Sequence, residues 1–129
     1  MTLTLSLLPD SYAVVRYPAS VSLPDWWRWD TNVFSSCTLT PDELSLVCPE
    51  TWVPENTQAQ RDWCAFRIEG TLDFALVGII ARISTLLAEA NISIFVLSTY
   101  DTDYILVQTS QASVATEALR SAGYVMHGI

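Results

Sequence analysis

Between Ser98 and Val107 the chain reads STYDTDYILV, which gathers one serine, two threonines, two tyrosines and two aspartates ahead of an apolar run. A turn between strands needs far less, since one Asp and one Gly would serve. Hydroxyls and carboxylates at this density offer a set of hydrogen-bond donors and acceptors. Two nearby carboxylates also have the makings of an acid–base pair if one pKa is raised. Asp101 with Asp103 is one such pair, and Asp42 with Glu43 is another. Both pairs fall near turns, where solvated charge is ordinary. Asp101, Thr102 and Asp103 also satisfy a hairpin turn unaided, because Asp and Thr side chains bond their own backbone. On the residues alone, a ligand-facing cluster and a plain turn both stand.

Catalysis finds little else to work with. There is no G-x-S-x-G, H-E-x-x-H, P-loop or dinucleotide fingerprint. His127 is the one histidine, close to the end of the sequence, with no Ser or Cys nucleophile at motif spacing. It reads as strand-end structure, and the expectation is a protein without catalytic activity or cofactor. Cys37, Cys48 and Cys64 are odd in number and lack C-x-x-C spacing. They read as buried thiols of a reducing cytoplasm, with no disulfide and no metal to hold.

Charge narrows the partners. Six Lys and Arg against fourteen Asp and Glu leave a net charge of −8 over 129 residues. Nucleic-acid binding depends on phosphate neutralisation by basic groups and is disfavoured. An anionic membrane surface is disfavoured for the same reason. No apolar run approaches the roughly 18–20 residues of a membrane span. The opening MTLTLSLLPD lacks the charged start and longer apolar core of a signal peptide. Its Leu3, Leu5, Leu7 alternation predicts a strand instead.

The elements that must position the polar cluster are clearest in the second half. WCAFRI (63–68) alternates and is rich in β-formers, so it predicts a strand. Ile79, Ile80, Ile83, Leu86 and Leu87 share one helical face, and Asn91 suits a left-handed cap beyond it. ISIFVLS (92–98) and YILVQ (104–108) predict strands on either side of the cluster. Val114, Ala118, Leu119 and Ala122 mark a second helix stopped by Gly123, and YVMHG (124–128) closes as a strand. The order is β-α-β-β-α-β, the ferredoxin-like plan, with an antiparallel sheet and both helices on one face.

Laid over the second half at an offset of 60, the first half shows a weaker echo: Val47 on Val107, Leu46 on Leu106, Glu43 on Asp103, Thr38 on Ser98. YAVVRY (12–17) would open this earlier copy, and LPDWWRW (23–29) would be its short first helix. Pro49, Pro54, Glu55, Asn56 and Gln58 leave its second helix short or missing. Trp26, Trp27 and Trp29 read as a lid over the first sheet, or else as an interface anchor. The expected class is α+β: two tandem ferredoxin-like (βαββαβ) units, 1–61 degenerate and 62–129 complete.

These residues resemble the ACT domain family of amino-acid-sensing proteins. The likeness lies in Asp73, the run Leu76-Val77-Gly78-Ile79, and LLAEANISIF (86–95). LSTYDTDYILV (97–107) is similar to a phrase of the tandem-ACT subfamily that includes the animal cytosolic arginine sensor and small bacterial relatives. FSSCTLTPDELSLVCP (34–49) resembles its first-repeat counterpart. Val77 stands where many members carry Pro, and Asn91 replaces the usual Gly.

The resemblance implies a free amino acid as ligand, bound at an interface between ACT units. Such a ligand brings a carboxylate and an ammonium, and both must be satisfied on leaving water. Leu76, Val77, Gly78 and Ile79 open a helix whose first N–H groups suit a carboxylate. Asp103 matches the family's ligand-binding Asp and would accept from the ammonium, with Thr99 and Ser98 beside it. Ser35 and Ser36 would line an opposing wall if they are not simply strand packing. Asp73 would cap the helix or face the ligand. The resemblance further implies self-association, most simply as a dimer, and a regulated protein partner. A pure protein-interaction module with a degenerate pocket is the alternative.

Overall fold

A computed structural model describes residues 3–69 and 77–128. Asp73 and Leu76 lie outside the described residues. Contacts divide the chain into a larger unit, Met1–Pro9 with Cys64–Ile129, and a smaller one, Asp10–Trp63. The expected boundary at 61/62 falls inside a strand, and the opening residues belong with the second half.

In the larger unit β1 is Thr4–Leu7, β5 ends at Ile68, α1 is Ile79–Glu89, β6 Phe95–Ser98, β7 Asp103–Gln108, α2 Ala112–Ser121 and β8 Val125–His127. From β5 onward the order is the expected β-α-β-β-α-β. Across the sheet the strands lie β8-β1-β5-β7-β6. The N-terminal strand is therefore inserted, antiparallel to β5 (Leu5 opposite Ile68) and parallel to β8 (Leu5 opposite Met126). The Leu alternation that predicts a strand also explains its place: Leu5 is fully buried, and Leu3 and Leu7 pack against the same cluster.

Leu5, Phe66, Ile68, Ile83, Leu87 and Leu119 belong to one core, so both helices cover one face of this sheet. α1 opens after Gly78, whose φ of 83° places it in the left-handed region that glycine favours. It closes on Asn91 (φ 61°), whose N–H bonds Ala88 O while the Ile92 N–H bonds Leu87 O at 3.0 Å. This is the expected left-handed cap, satisfying carbonyls the helix leaves unpaired. α2 sets Leu119 and Ala122 against the core as expected, but Ala115 and Thr116 are buried beside them while Val114 is exposed.

The smaller unit holds β2, Tyr12–Pro18, β3, Ser36–Leu39, β4, Glu43–Pro49, and the first residues of β5, Gln60–Ile68. Its strand order is β3-β4-β2-β5, every adjacent pair antiparallel. The β2–β5 register slips between Tyr12 and Val14. Asp62 sits at that bulge with φ 63°, and its N–H donates to Glu50 Oε1 at 2.7 Å.

No α-helix forms here among the described residues. LPDWWRW makes a single turn, Trp27 N–H to Pro24 O at 3.1 Å, in place of the expected helix. Ring packing accounts for the difference. Trp27 is buried against Trp52 with ring centroids 5.4 Å apart, in the core of Val15, Leu44 and Leu46. Trp29 remains 74% exposed although its ring meets that of Trp27 edge-on. The second helix shrinks to a 3-10 turn, Glu50–Trp52.

All three cysteines are free thiols, but Cys37 on β3 is exposed, contrary to the expectation. β3 is the outermost strand of its unit and is mostly exposed, so a short side chain there finds little cover. Burial pushes the Cys48 thiol up to about 12, against a smaller opposing pull from Arg61. Burial likewise raises Cys64, opposed by backbone hydrogen bonds. Both are therefore poor nucleophiles near neutral pH.

Candidate functional site

The polar cluster is the tip of the β6–β7 hairpin. Ser98, the last residue of β6, pairs with Asp103, the first of β7, and Ser98 Oγ donates to Asp103 Oδ1. Asp103 precedes Ile105 and Val107 at two-residue spacing, and those two belong to the helix-side core. Its carboxylate therefore stands on the helix-bearing face, half-buried.

Thr99 and Thr102 close the turn. The Thr99 N–H donates to Thr102 O at 2.8 Å, and Thr99 Oγ1 accepts from the Thr102 N–H at 3.2 Å. Tyr100 and Asp101 form the exposed apex. Thr99 thus contributes through the turn itself, its hydroxyl already engaged there. Thr102 had no role beyond the turn in the sequence reading. It is 4% exposed, one of the few buried polar side chains among the described residues, and its Oγ1 donates to Ile68 O at 2.7 Å.

That bond brings the start of β7 to the end of β5, so these strands run in opposite directions. Cys64, further back on β5, correspondingly meets the backbone of Val107 near the end of β7. Since β6 is antiparallel to β7, β5 and β6 are parallel. A helix carrying the chain between parallel strands must start where the first strand ends. The Gly78 end of α1 therefore lies at the same end of the sheet as Ser98 and Asp103.

At that end Gly78 and Val77 are exposed, and a Cβ built on Gly78 would meet nothing within 4 Å. Gly78 O accepts the Arg82 N–H at 2.9 Å, which begins the helical ladder and leaves the N–H groups before Arg82 without intrahelical acceptors. Ile79 turns its side chain into the core, so only its backbone is available to a ligand. The Arg82 guanidinium is drawn over the Tyr124 ring, 5.8 Å from its centroid. One end of the larger unit thus offers both polarities: a carboxylate on the hairpin, and helix N–H groups without intrahelical acceptors, carrying positive partial charge.

Ser35 and Ser36 lie in the smaller unit, half-buried, with Ser36 opposite Val47 in the β3–β4 hairpin. Asp42 and Glu43 stand at the turn of that hairpin, where Thr40 Oγ1 accepts both their N–H groups at 3.2 and 3.1 Å. His127 is exposed on β8. Among the described residues no group of His, Cys, Asp and Glu could hold a metal ion, and no helix is long and apolar enough to cross a membrane.

Residues 58–121 match the ACT domain family, and residues 10–56 match a second family described as an N-terminal domain. The solved structure of protein Atu0741 from Agrobacterium tumefaciens is 32% identical over 98% of this chain and 92% of its own, with a TM-score of 0.89. The chain belongs to the family of that protein, and its second half carries the stretch that matches the ACT domain family. A Vibrio cholerae protein, VC0802, described as a possible transport protein, is 23% identical over 93% of this chain and 89% of its own, with a TM-score of 0.75. The regulatory subunit of aspartate kinase from Thermus thermophilus shares the fold at 10% identity, covering 95% of this chain and 99% of its own, with a TM-score of 0.60. Among curated proteins none matches.

Proposed function

We propose that this protein is a non-catalytic sensor that binds a free amino acid at the Gly78 end of its ACT domain. The observation that carries the reading is the pairing of opposite polarities there: the half-buried Asp103 carboxylate held by Ser98, and the N-terminus of α1 at the exposed Gly78. Asp103 accepts from the ammonium. The backbone of residues 76–79 receives the carboxylate, with Gly78 allowing close approach. The match of residues 58–121 to the ACT domain family supports a regulatory, small-molecule-binding role.

The proposal extends to a cytoplasmic protein that self-associates, most simply as a dimer, and passes occupancy to a regulated partner. The smaller unit, Asp10–Trp63 where the sequence suggested 1–61, is read as a degenerate ACT-like unit, supported by a strand order that keeps the ferredoxin-like plan without α-helices among the described residues. Melting the protein against each of the free amino acids tests the function. Binding to the folded state must raise the melting temperature. One or a few amino acids should do so at millimolar concentration. No shift with any of them would replace the sensor with an interaction module that carries an empty site.

A further inference from the structure

The two hairpins carry the same turn. In the smaller unit Thr40 N–H donates to Glu43 O at 2.9 Å and Thr40 Oγ1 accepts the Glu43 N–H at 3.1 Å. In the larger unit Thr99 makes both bonds with Thr102, at 2.8 and 3.2 Å. Thr102 therefore occupies the place of Glu43, a half-buried and quite different side chain. A turn of this shape forms without the Thr102 hydroxyl. The bond from Thr102 Oγ1 to Ile68 O does something else: it docks the finished turn onto the end of β5.

We infer that Thr102 is a positioning residue that sets the Asp103 carboxylate relative to the strand leading into the Gly78 segment. It touches no ligand group itself. Its hydroxyl is buried, its partner is the last residue of β5, and the residue after it is Asp103. The smaller unit has a looser counterpart, in which Arg16 Nη2 donates to Asp42 O at 3.2 Å from an exposed side chain. A short buried tether permits little travel, whereas a long exposed one permits much. The hairpin with the polar pair has the short tether.

This inference rests on the amino-acid reading for its purpose, but its geometry is tested separately. Thr102→Val keeps the side-chain volume and removes the donor, while Thr102→Ser keeps the donor. Amide hydrogen exchange on the ligand-free full chain should rise about tenfold or more at Thr99 and Asp103 in Thr102→Val, because the docking bond is lost. Exchange at Ile83 and Leu119 should not change, and Thr102→Ser should restore the wild-type pattern. If Thr102→Val does not fold, Thr102→Cys, of similar size and a weak donor, takes its place. Unchanged exchange at 99 and 103, or an equal rise at every amide, would overturn the inference.

Affinity for whichever free amino acid most stabilises the wild type, measured well below the melting transition, should fall about tenfold in Thr102→Val. It should stay near wild type in Thr102→Ser. A loosened turn with undiminished affinity would also overturn the inference, since a merely structural threonine behaves that way. A wild type that binds no amino acid sinks the sensor reading alone. The exchange pattern then still decides whether Thr102 holds Asp103.

Discussion

The hairpins Ser36–Pro49 and Phe95–Gln108 fold alike and differ where chemistry would happen. With Thr40 on Thr99, an offset of 59, Asp42 falls on Asp101, both at the exposed apex. Ser98 and Asp103 fall on Leu39 and Leu44. Leu44 is 4% exposed and belongs to the smaller unit's core, while Asp103 is half-buried with a serine hydroxyl on its carboxylate. One frame carries apolar packing in one place and a polar pair in the other. The shape of the turn therefore does not create the site, which depends on two side chains beside it.

The sharpest way to break this comparison is Leu44→Asp, which writes the larger unit's residue into the smaller. A charge in that core lacks the serine partner and the exposure that Asp103 has. The variant should lose about 3 kcal/mol or more, read by urea unfolding. A loss under about 1 kcal/mol would mean that the two positions are interchangeable.

Within the larger hairpin, Asp103→Ala should weaken amino-acid binding about 10- to 100-fold, as expected for removing a charged hydrogen-bond partner. Asp101→Ala, at the exposed apex, should cost well under a factor of about 10. Calorimetry on both, with folding checked by melting, decides the assignment. Binding abolished by the Asp101 change and spared by the Asp103 change would misplace the site.

Gly78→Ala separates conformation from contact. A Cβ there meets open space, so the cost of about 1–2 kcal/mol should come from the positive φ alone. Asn, which tolerates that region better, should cost less by thermal melting.

An effect confined to alkaline pH concerns the buried cysteine of the smaller unit. The Cys48 thiol ionises near 9 when exposed and near 12 in the folded chain. Between those values the unfolded state holds fewer protons than the folded one, so stability should decline as pH rises from 9 towards 12. Cys48→Val should flatten that decline in a pH series of unfolding curves.

Periodicity made the larger unit readable before its structure: the α1 stripe, the Asn91 cap, and the strand–turn–strand around residues 98–103. The likeness of the two hairpins is legible too, but at an offset one residue away from the 59 that superposes their turns. At an offset of 60 the match rested on Leu46-Val47 against Leu106-Val107, and all four residues are buried. A one-residue slip normally exchanges core and solvent faces, but strands buried on both faces give no such warning. The turn chemistry, T-x-D at 40–42 and at 99–101, was the signal that fixes it. LPDWWRW misled because its tryptophans are held by rings elsewhere in their unit rather than by helical spacing. Nothing in the sequence marks Thr102, because it does not show which turn hydroxyl is buried. The Ser98–Asp103 pair follows from the hairpin register, which turn length sets.

The insertion of β1 between β5 and β8 has a consequence for the order of events in folding. Residues 10–63 are contiguous, and their strands find partners within their own stretch. The larger unit is interrupted by them. Its first strand, although made early, has its partners in Phe66–Ile68 and in Val125–His127. Pairings so distant along the chain close slowly, because the loop must be ordered before any contact rewards it. On a ribosome the smaller unit can complete itself first, while Thr4–Leu7 waits as an exposed strand for the last strand to be made. Until then the edge of Thr4–Leu7 that β8 will cover stays unpaired, and an unpaired edge is where a chaperone or an aggregate can take hold.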